Sequence, residues 1–200
     1  MVKIITLLVL ALTSCGIGSA SVITLDFSEL PQQTVDGLTY KGVTFGYTGG
    51  ATALYNYDTT LGAMLQNLTD PVLFGDSAGT LTLQFSDPTP FLRFNLAFGT
   101  SDDSAFLVQL TGPGFPLSGQ MVPGTTTLAI ALSEGTFDYD NTVNAPLGAL
   151  IQTAVITFTS SSNIFALDNL TYDPAPEPGT WLLIAPGVLL AVTHKLLTRR

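Results

Sequence analysis

The chain has 200 residues, a net charge of −9 at pH 7, one cysteine and one histidine, and once its two ends are set aside roughly 150 residues remain, the size of one domain with a real core. Between Ser21 and Ala175 the only cationic side chains are Lys41 and Arg93, against fourteen Asp and Glu, so this body carries −12. Such a surface repels nucleic acid and anionic lipid, and because Cys15 and His194 both lie outside the body, disulfide staples, Cys/His zinc sites and His-dependent catalytic triads are excluded from it.

The first predicted element is a signal peptide over residues 1–20. Met1-Val2-Lys3 leads into the apolar run Ile4 to Leu12, and small residues close the segment at Gly18-Ser19-Ala20; a charged start, an apolar helical centre and a small-residue exit direct export. Within it, Leu12-Thr13-Ser14-Cys15 also resembles the lipobox of bacterial lipoproteins, in which the cysteine is lipidated and becomes the first mature residue. In that reading Cys15 carries a diacylglycerol, because a single acyl chain holds a membrane only weakly. On the sequence, both readings stay open.

From residue 21 to 173 the pattern predicts a single all-β domain. Strands are expected at Val22 to Phe27 and Thr39 to Tyr47, then at Leu81-Leu83-Phe85, Leu92-Phe94-Leu96-Phe98, Phe106-Val108-Leu110, Leu128-Ile130-Leu132 and Ala154-Ile156-Phe158, and finally at Ile164 to Tyr172. In these runs apolar residues alternate with polar or small ones, and Thr and aromatics are enriched. Gly, Pro, Asp and Asn collect between them. The stretch Ser133 to Leu150 shows the least pattern and is expected to be a long loop with a turn of helix near Pro146 to Ile151. Eight to ten short strands, each with one apolar face, predict an antiparallel β-sandwich of jelly-roll type.

The chemistry-bearing residues of this body are mostly carboxylates. Phe165-Ala166-Leu167-Asp168-Asn169-Leu170-Thr171-Tyr172 resembles the closing strand of carbohydrate-binding jelly rolls and other extracellular sandwich domains, where such an aspartate helps hold a structural calcium. The resemblance implies partner ligands from the first strand and its following loop, where Asp26 and Glu29 stand. Calcium takes six to eight oxygens, and carboxylates from both ends of the body would clip the sandwich shut; the competing reading is that Asp168 and Asn169 bond a turn amide or cap a strand. Asp102-Asp103 sits in a tight connection and reads as solvated, while Glu134 to Asn141 lacks a glycine and a terminal glutamate at the spacing an EF-hand loop requires. Glycoside hydrolysis needs a carboxylate pair across a cleft. With Glu29 and Glu134 the only glutamates of the body and no local pattern nominating a pair, no enzyme is expected. Sugar binding needs stacking aromatics with polar neighbours. Tyr40, Tyr47, Tyr55, Tyr57 and Tyr139 are the candidates, with Tyr55-Asn56-Tyr57-Asp58 the most suggestive, against the plainer reading of half-buried core tyrosines. Thr125-Thr126-Thr127 and Thr157-Phe158-Thr159 lack the regular array that an ice-binding face requires.

The last element is a tail over residues 174–200. Pro174-Ala175-Pro176-Glu177-Pro178-Gly179 breaks regular structure; Thr180 to Thr193 is almost wholly apolar and His194-Lys195-Leu196-Leu197-Thr198-Arg199-Arg200 closes the chain with positive charge. A single transmembrane helix over 180–197 is expected, with Lys195 snorkelling and the arginines cytoplasmic. The series of Pro176-Glu177-Pro178, apolar segment and basic end resembles the PEP-CTERM sorting signal, departing from it in Pro186-Gly187 within the helix and in Leu196-Leu197 within the basic cluster. The resemblance implies export by the secretion machinery, an inner-membrane intermediate, and handling by exosortase, a membrane-embedded transpeptidase-like enzyme of bacteria that make extracellular polysaccharide. The expectation for the whole is therefore a cell-surface or matrix structural protein without catalysis. The alternative is a module binding extracellular polysaccharide, with calcium the one cofactor in question.

Overall fold

The computed structural model describes residues 21–55, 67–69, 71–99, 104–128, 132–158 and 164–174, among which there is no helix. Twelve strands follow in chain order: β1 (Ile23–Leu25), β2 (Thr39–Tyr40), β3 (Val43–Thr48), β4 (Thr52–Tyr55), β5 (Val72–Asp76), β6 (Thr80–Thr89), β7 (Phe91–Phe98), β8 (Ser104–Thr111), β9 (Gln120–Leu128), β10 (Ser133–Asp140), β11 (Ile151–Phe158) and β12 (Ile164–Tyr172). Every pairing is antiparallel.

The strands form one continuous sheet that curls into two facing layers. In the first, β4, β5, β12, β7 and β10 lie side by side with β1 also on β12; in the second the order is β2, β3, β6, β11, β8, β9. The strand β9 joins them: its first part pairs with β8 from Gln120 opposite Leu110 to Thr126 opposite Ser104. Its last residues pair instead with β10, Thr127 opposite Glu134 and Leu128 opposite Ser133. A strand shared between layers leaves fewer open edges for intermolecular pairing than two separate sheets would.

Alternation dictates the core. Along β7, Leu92, Phe94, Leu96 and Phe98 are fully buried, and β8 does the same with Phe106, Val108 and Leu110. Rings from the two layers meet in the middle: Phe158 stacks on Phe165 at 4.2 Å, Phe85 lies 5.1 Å from Tyr172, and Phe98 meets Phe158 edge-on at 5.8 Å. Offset and edge-on pairs of this kind add about 0.5–1.5 kcal/mol each beyond the area they bury.

The antiparallel all-β expectation is met, and three of its details are corrected. The run Thr39 to Tyr47 is a hairpin and not one strand, because Lys41 and Gly42 both take positive φ, 45° and 80°, the geometry of the tight turn that suits strand twist. The segment Ser133 to Leu150 is not a long loop: it opens with the eight-residue β10, which buries Phe137 and Tyr139, and only Asn141 to Leu150 is turns, without helix. Gly135 holds the inward position that would have completed the alternation, since a Cβ there would lie 2.5 Å from the Thr125 carbonyl oxygen. The strand expected around Leu128 to Leu132 begins earlier, at Gln120, and ends at Leu128. The signal segment, the transmembrane segment, and Asp102 with Asp103 lie outside the described residues.

Candidate functional site

The outer face of the first layer carries the densest polar pattern. With Leu92, Phe94, Phe137, Tyr139, Leu170 and Tyr172 turned to the core, period-two alternation puts Phe91, Arg93, Asn95, Thr136 and Asp138 on the other side. A bulge extends the pattern to β12. Between Asp168, opposite Asn95, and Thr171, opposite Arg93, β12 has one more residue than β7; Asn169 absorbs it at φ 53°. The bulge turns Thr171 outward and keeps Leu170 in the core.

Consequently Asp138, Arg93, Thr171 and Thr24 stand directly opposite one another across β10, β7, β12 and β1, a straight row spanning about 14 Å at ordinary strand spacing. Arg93 Nη2 donates to Asp138 Oδ2 at 2.5 Å, with both side chains about half exposed. The guanidinium lies 5.3 Å from the Phe91 ring centre. The Thr24 and Thr171 hydroxyls are hydrogen-bonded at 3.1 Å, and Thr136 donates to Asn95 Oδ1 at 3.0 Å. Planar charged and amide groups beside hydroxyls and a ring edge can hydrogen-bond a polyhydroxylated ligand from several strands at once.

The other half of this face is covered. Leu68 is buried against Val72, Ala97 and Ala166, and two buried carboxylates hold the backbone on either side of it. Glu134 Oε2 accepts from the Asn67 backbone N–H at 2.8 Å and its side-chain amide at 3.0 Å. Asp168 Oδ2 accepts from the Thr69 N–H at 2.8 Å and from Asn169 Nδ2 at 3.0 Å. Asn95 Nδ2 donates to the Asn67 carbonyl at 2.5 Å. These acceptors tolerate burial because hydrogen bonds from backbone and amide donors replace lost water. The residues 67–69 are thereby strapped over the sheet.

The calcium candidates Asp26, Glu29 and Asp168 serve three different networks. Asp26 Oδ1 accepts from the Ser28 N–H and hydroxyl at 3.3 and 3.0 Å. Glu29 Oε2 accepts from the Tyr40 hydroxyl at 2.6 Å and lies 3.4 Å from Lys41 Nζ. Asp168 faces away from the core, as its phase requires, but is fully buried beneath Thr69 rather than open. Among the described residues no group of three His, Cys, Asp or Glu side chains is placed to hold a metal ion. The Tyr40 hydrogen bond, then Lys41, holds the Glu29 carboxyl below its usual range. Its small contribution to the β2–β3 turn is present above the ordinary glutamate range and is lost as pH falls through the depressed value.

Of the tyrosines, Tyr47 is 7% exposed and Tyr139 fully buried, core residues both; the Tyr47 hydroxyl donates to the Asp76 carbonyl. Tyr40 is half-buried, with Lys41 Nζ 5.0 Å from its ring centre. Tyr55 pairs through its backbone with Val72, whereas Tyr57, Cys15, Pro176, Glu177 and Pro178 lie outside the described residues. Neither the Arg93 row nor the strap was nominated from sequence. Arg93 as the sole arginine of an acidic body was the available signal.

No family model matches the chain, and no curated protein matches it. Among solved structures it is similar to family 29 carbohydrate-binding modules. One is a mutant module complexed with cellulohexaose, at TM-score 0.42 and 8% identity over 78% of this chain and 92% of that one. A second mutant, complexed with mannohexaose, gives 0.40 and 10% over 71% and 90%. A further family 29 carbohydrate-binding module gives 0.39 and 8% over 71% and 87%.

Proposed function

We propose that the chain is an exported, non-catalytic protein of the cell surface or extracellular matrix whose body binds neutral extracellular polysaccharide across the first layer. The supporting observation is the straight row Asp138, Arg93, Thr171 and Thr24 with Phe91 at its edge. The row is long enough for a short oligosaccharide. The body's charge of −12 disfavours acidic glycans. The segment 1–20 and the PEP-CTERM-like tail supply the route: secretion, an inner-membrane intermediate through residues 180–197, and exosortase at Pro176-Glu177-Pro178, with Cys15 as the alternative lasting anchor. Fractionation of cells with and without exosortase tests that route; identical mass and location of the protein in both would sink it.

Arg93→Ala in the full chain is the test of the binding face. Electrophoresis through gels containing neutral glucan or mannan is expected to retard the wild type and to show at least tenfold weaker retention for the variant. Its melting temperature should stay close to wild type, because an exposed ion pair contributes only about 0–1 kcal/mol. Equal retardation of both proteins, or none of either, removes the reading. Melts of the wild type with and without millimolar calcium examine a structural ion separately, a rise in calcium marking a site.

A further inference from the structure

The large apolar side chains exposed among the described residues are Val22, Leu117, Met121, Val143 and Leu147, and they share one end of the body. Leu117 lies in the β8–β9 connection and Val143 and Leu147 in the β10–β11 connection. The two connections touch: the Leu150 N–H donates to the Pro113 carbonyl at 2.8 Å and the Phe115 ring lies 5.9 Å from Tyr139. The Asn141 N–H donates to the Pro90 carbonyl at 2.9 Å, which ties this end to the start of β7. There Leu92 faces Tyr172 and Tyr172 faces Ile23. Both chain ends of the body therefore leave from the end that presents these side chains, and Asp173 is held there by its N–H to Thr89 Oγ1 at 3.0 Å.

Charge sharpens the pattern. In a body of −12, neither Thr111 to Ser133 nor Asn141 to Ser162 contains a charged residue; the carboxylate at the base of the second tip, Asp140, is engaged by the Thr142 N–H and hydroxyl. Leu117, at 109% relative exposure, projects entirely into solvent. Exposed leucine and valine grouped on neighbouring uncharged loops mark an interaction surface. What lies next along the chain identifies the partner. Thr180, where the apolar tail segment begins, is six residues beyond Pro174, a tether of at most about 20 Å.

We infer that the end bearing Leu117, Val143 and Leu147 is a bilayer-contacting face, whose tips enter the headgroup and upper acyl region of the membrane that receives the C-terminal segment. The inference rests on the proposed membrane entry of that segment. Shallow apolar insertion of this kind needs no anionic lipid.

The test uses the full chain in phosphatidylcholine vesicles whose acyl chains are brominated. Wild-type Trp181 reports the tail. In a Trp181→Phe background, Leu117→Trp and Val143→Trp report the tips, and Thr157→Trp, exposed on β11 at the opposite end, serves as the soluble reference. Both tip tryptophans are expected to shift to shorter wavelength and to lose at least half their emission to bromine, with Thr157→Trp unaffected. Quenching of Trp181 with tips as bright as Thr157→Trp overturns the bilayer face and leaves the tail reading standing. Quenched tips with an unquenched Trp181 keep the face and remove the tail; if nothing is quenched, both fall.

Discussion

Phe165→Ala is expected to lower the unfolding free energy by about 3–5 kcal/mol, the usual cost of emptying a large aromatic site in a core. The upper part of that range applies because the site cannot collapse. Phe165 is fully buried, stacked on Phe158 at 4.2 Å and 6.0 Å from Tyr47, so its removal unpacks both layers at once. On the neighbouring strand it stands opposite Gly75, where a Cβ would come within 2.6 Å of the Phe165 ring. The ring thus fills space that a glycine leaves, and the hydrogen-bonded backbone of β5 cannot move in to replace it. For a body of this size the melting temperature should fall by roughly 6–20 °C. A second substitution makes the argument specific: Gly75→Ala should destabilise the wild type through that clash and cost less in the Phe165→Ala background, where only the approach to Thr52 Cγ2 at 2.9 Å remains, a coupling that a double-mutant cycle reads directly. Additive effects of the two changes, or a loss below about 1 kcal/mol for Phe165→Ala, would show that the pair is not packed this way.

The strands that sequence alone revealed are those with one wet face. β6, β8 and β11 alternate because solvent lies on one side and the shared core on the other. β5 was invisible for the opposite reason. Val72 and Leu73 are both fully buried, Leu73 in the main core and Val72 in the small cluster with Leu68, Ala97 and Ala166, and a strand covered on both sides loses its period of two. In β10, Gly135 interrupts the inward series and aspartates fill the outward one. The polar row escaped notice because its members come from four strands, with Thr24 and Thr171 separated by 147 positions. Their meeting depends on the bulge at Asn169, which no local pattern marks. Asp168 faces outward as its phase along β12 requires, but its burial depends on residues 67–69 crossing the sheet, a contact 99 positions distant.

Asp168→Ala is the second large effect, expected at about 2–3 kcal/mol because two donors lose their buried acceptor. The loss is local in origin. Without Oδ2 the Thr69 N–H has no anchor on the sheet, and Leu68 can lift from Val72, Ala97 and Ala166. Limited proteolysis should therefore cut the variant near Asn67 to Thr69 under conditions that leave the wild type whole. Asp168→Asn keeps a side-chain oxygen for that N–H and should cost less than half as much. Glu134→Gln, which loosens the same strap at Asn67, should combine with Asp168→Ala less than additively, since the second change acts on a segment the first has already freed. These outcomes separate a backbone anchor from an ion ligand. An anchor gives the same penalty in chelator as in millimolar calcium, whereas a ligand gives a penalty that appears only when calcium is present and stabilises the wild type. Sensitivity to protease unchanged from wild type would show that the strap is held by Glu134 and the packing of Leu68, leaving the Asp168 carboxylate without the role its hydrogen bonds assign.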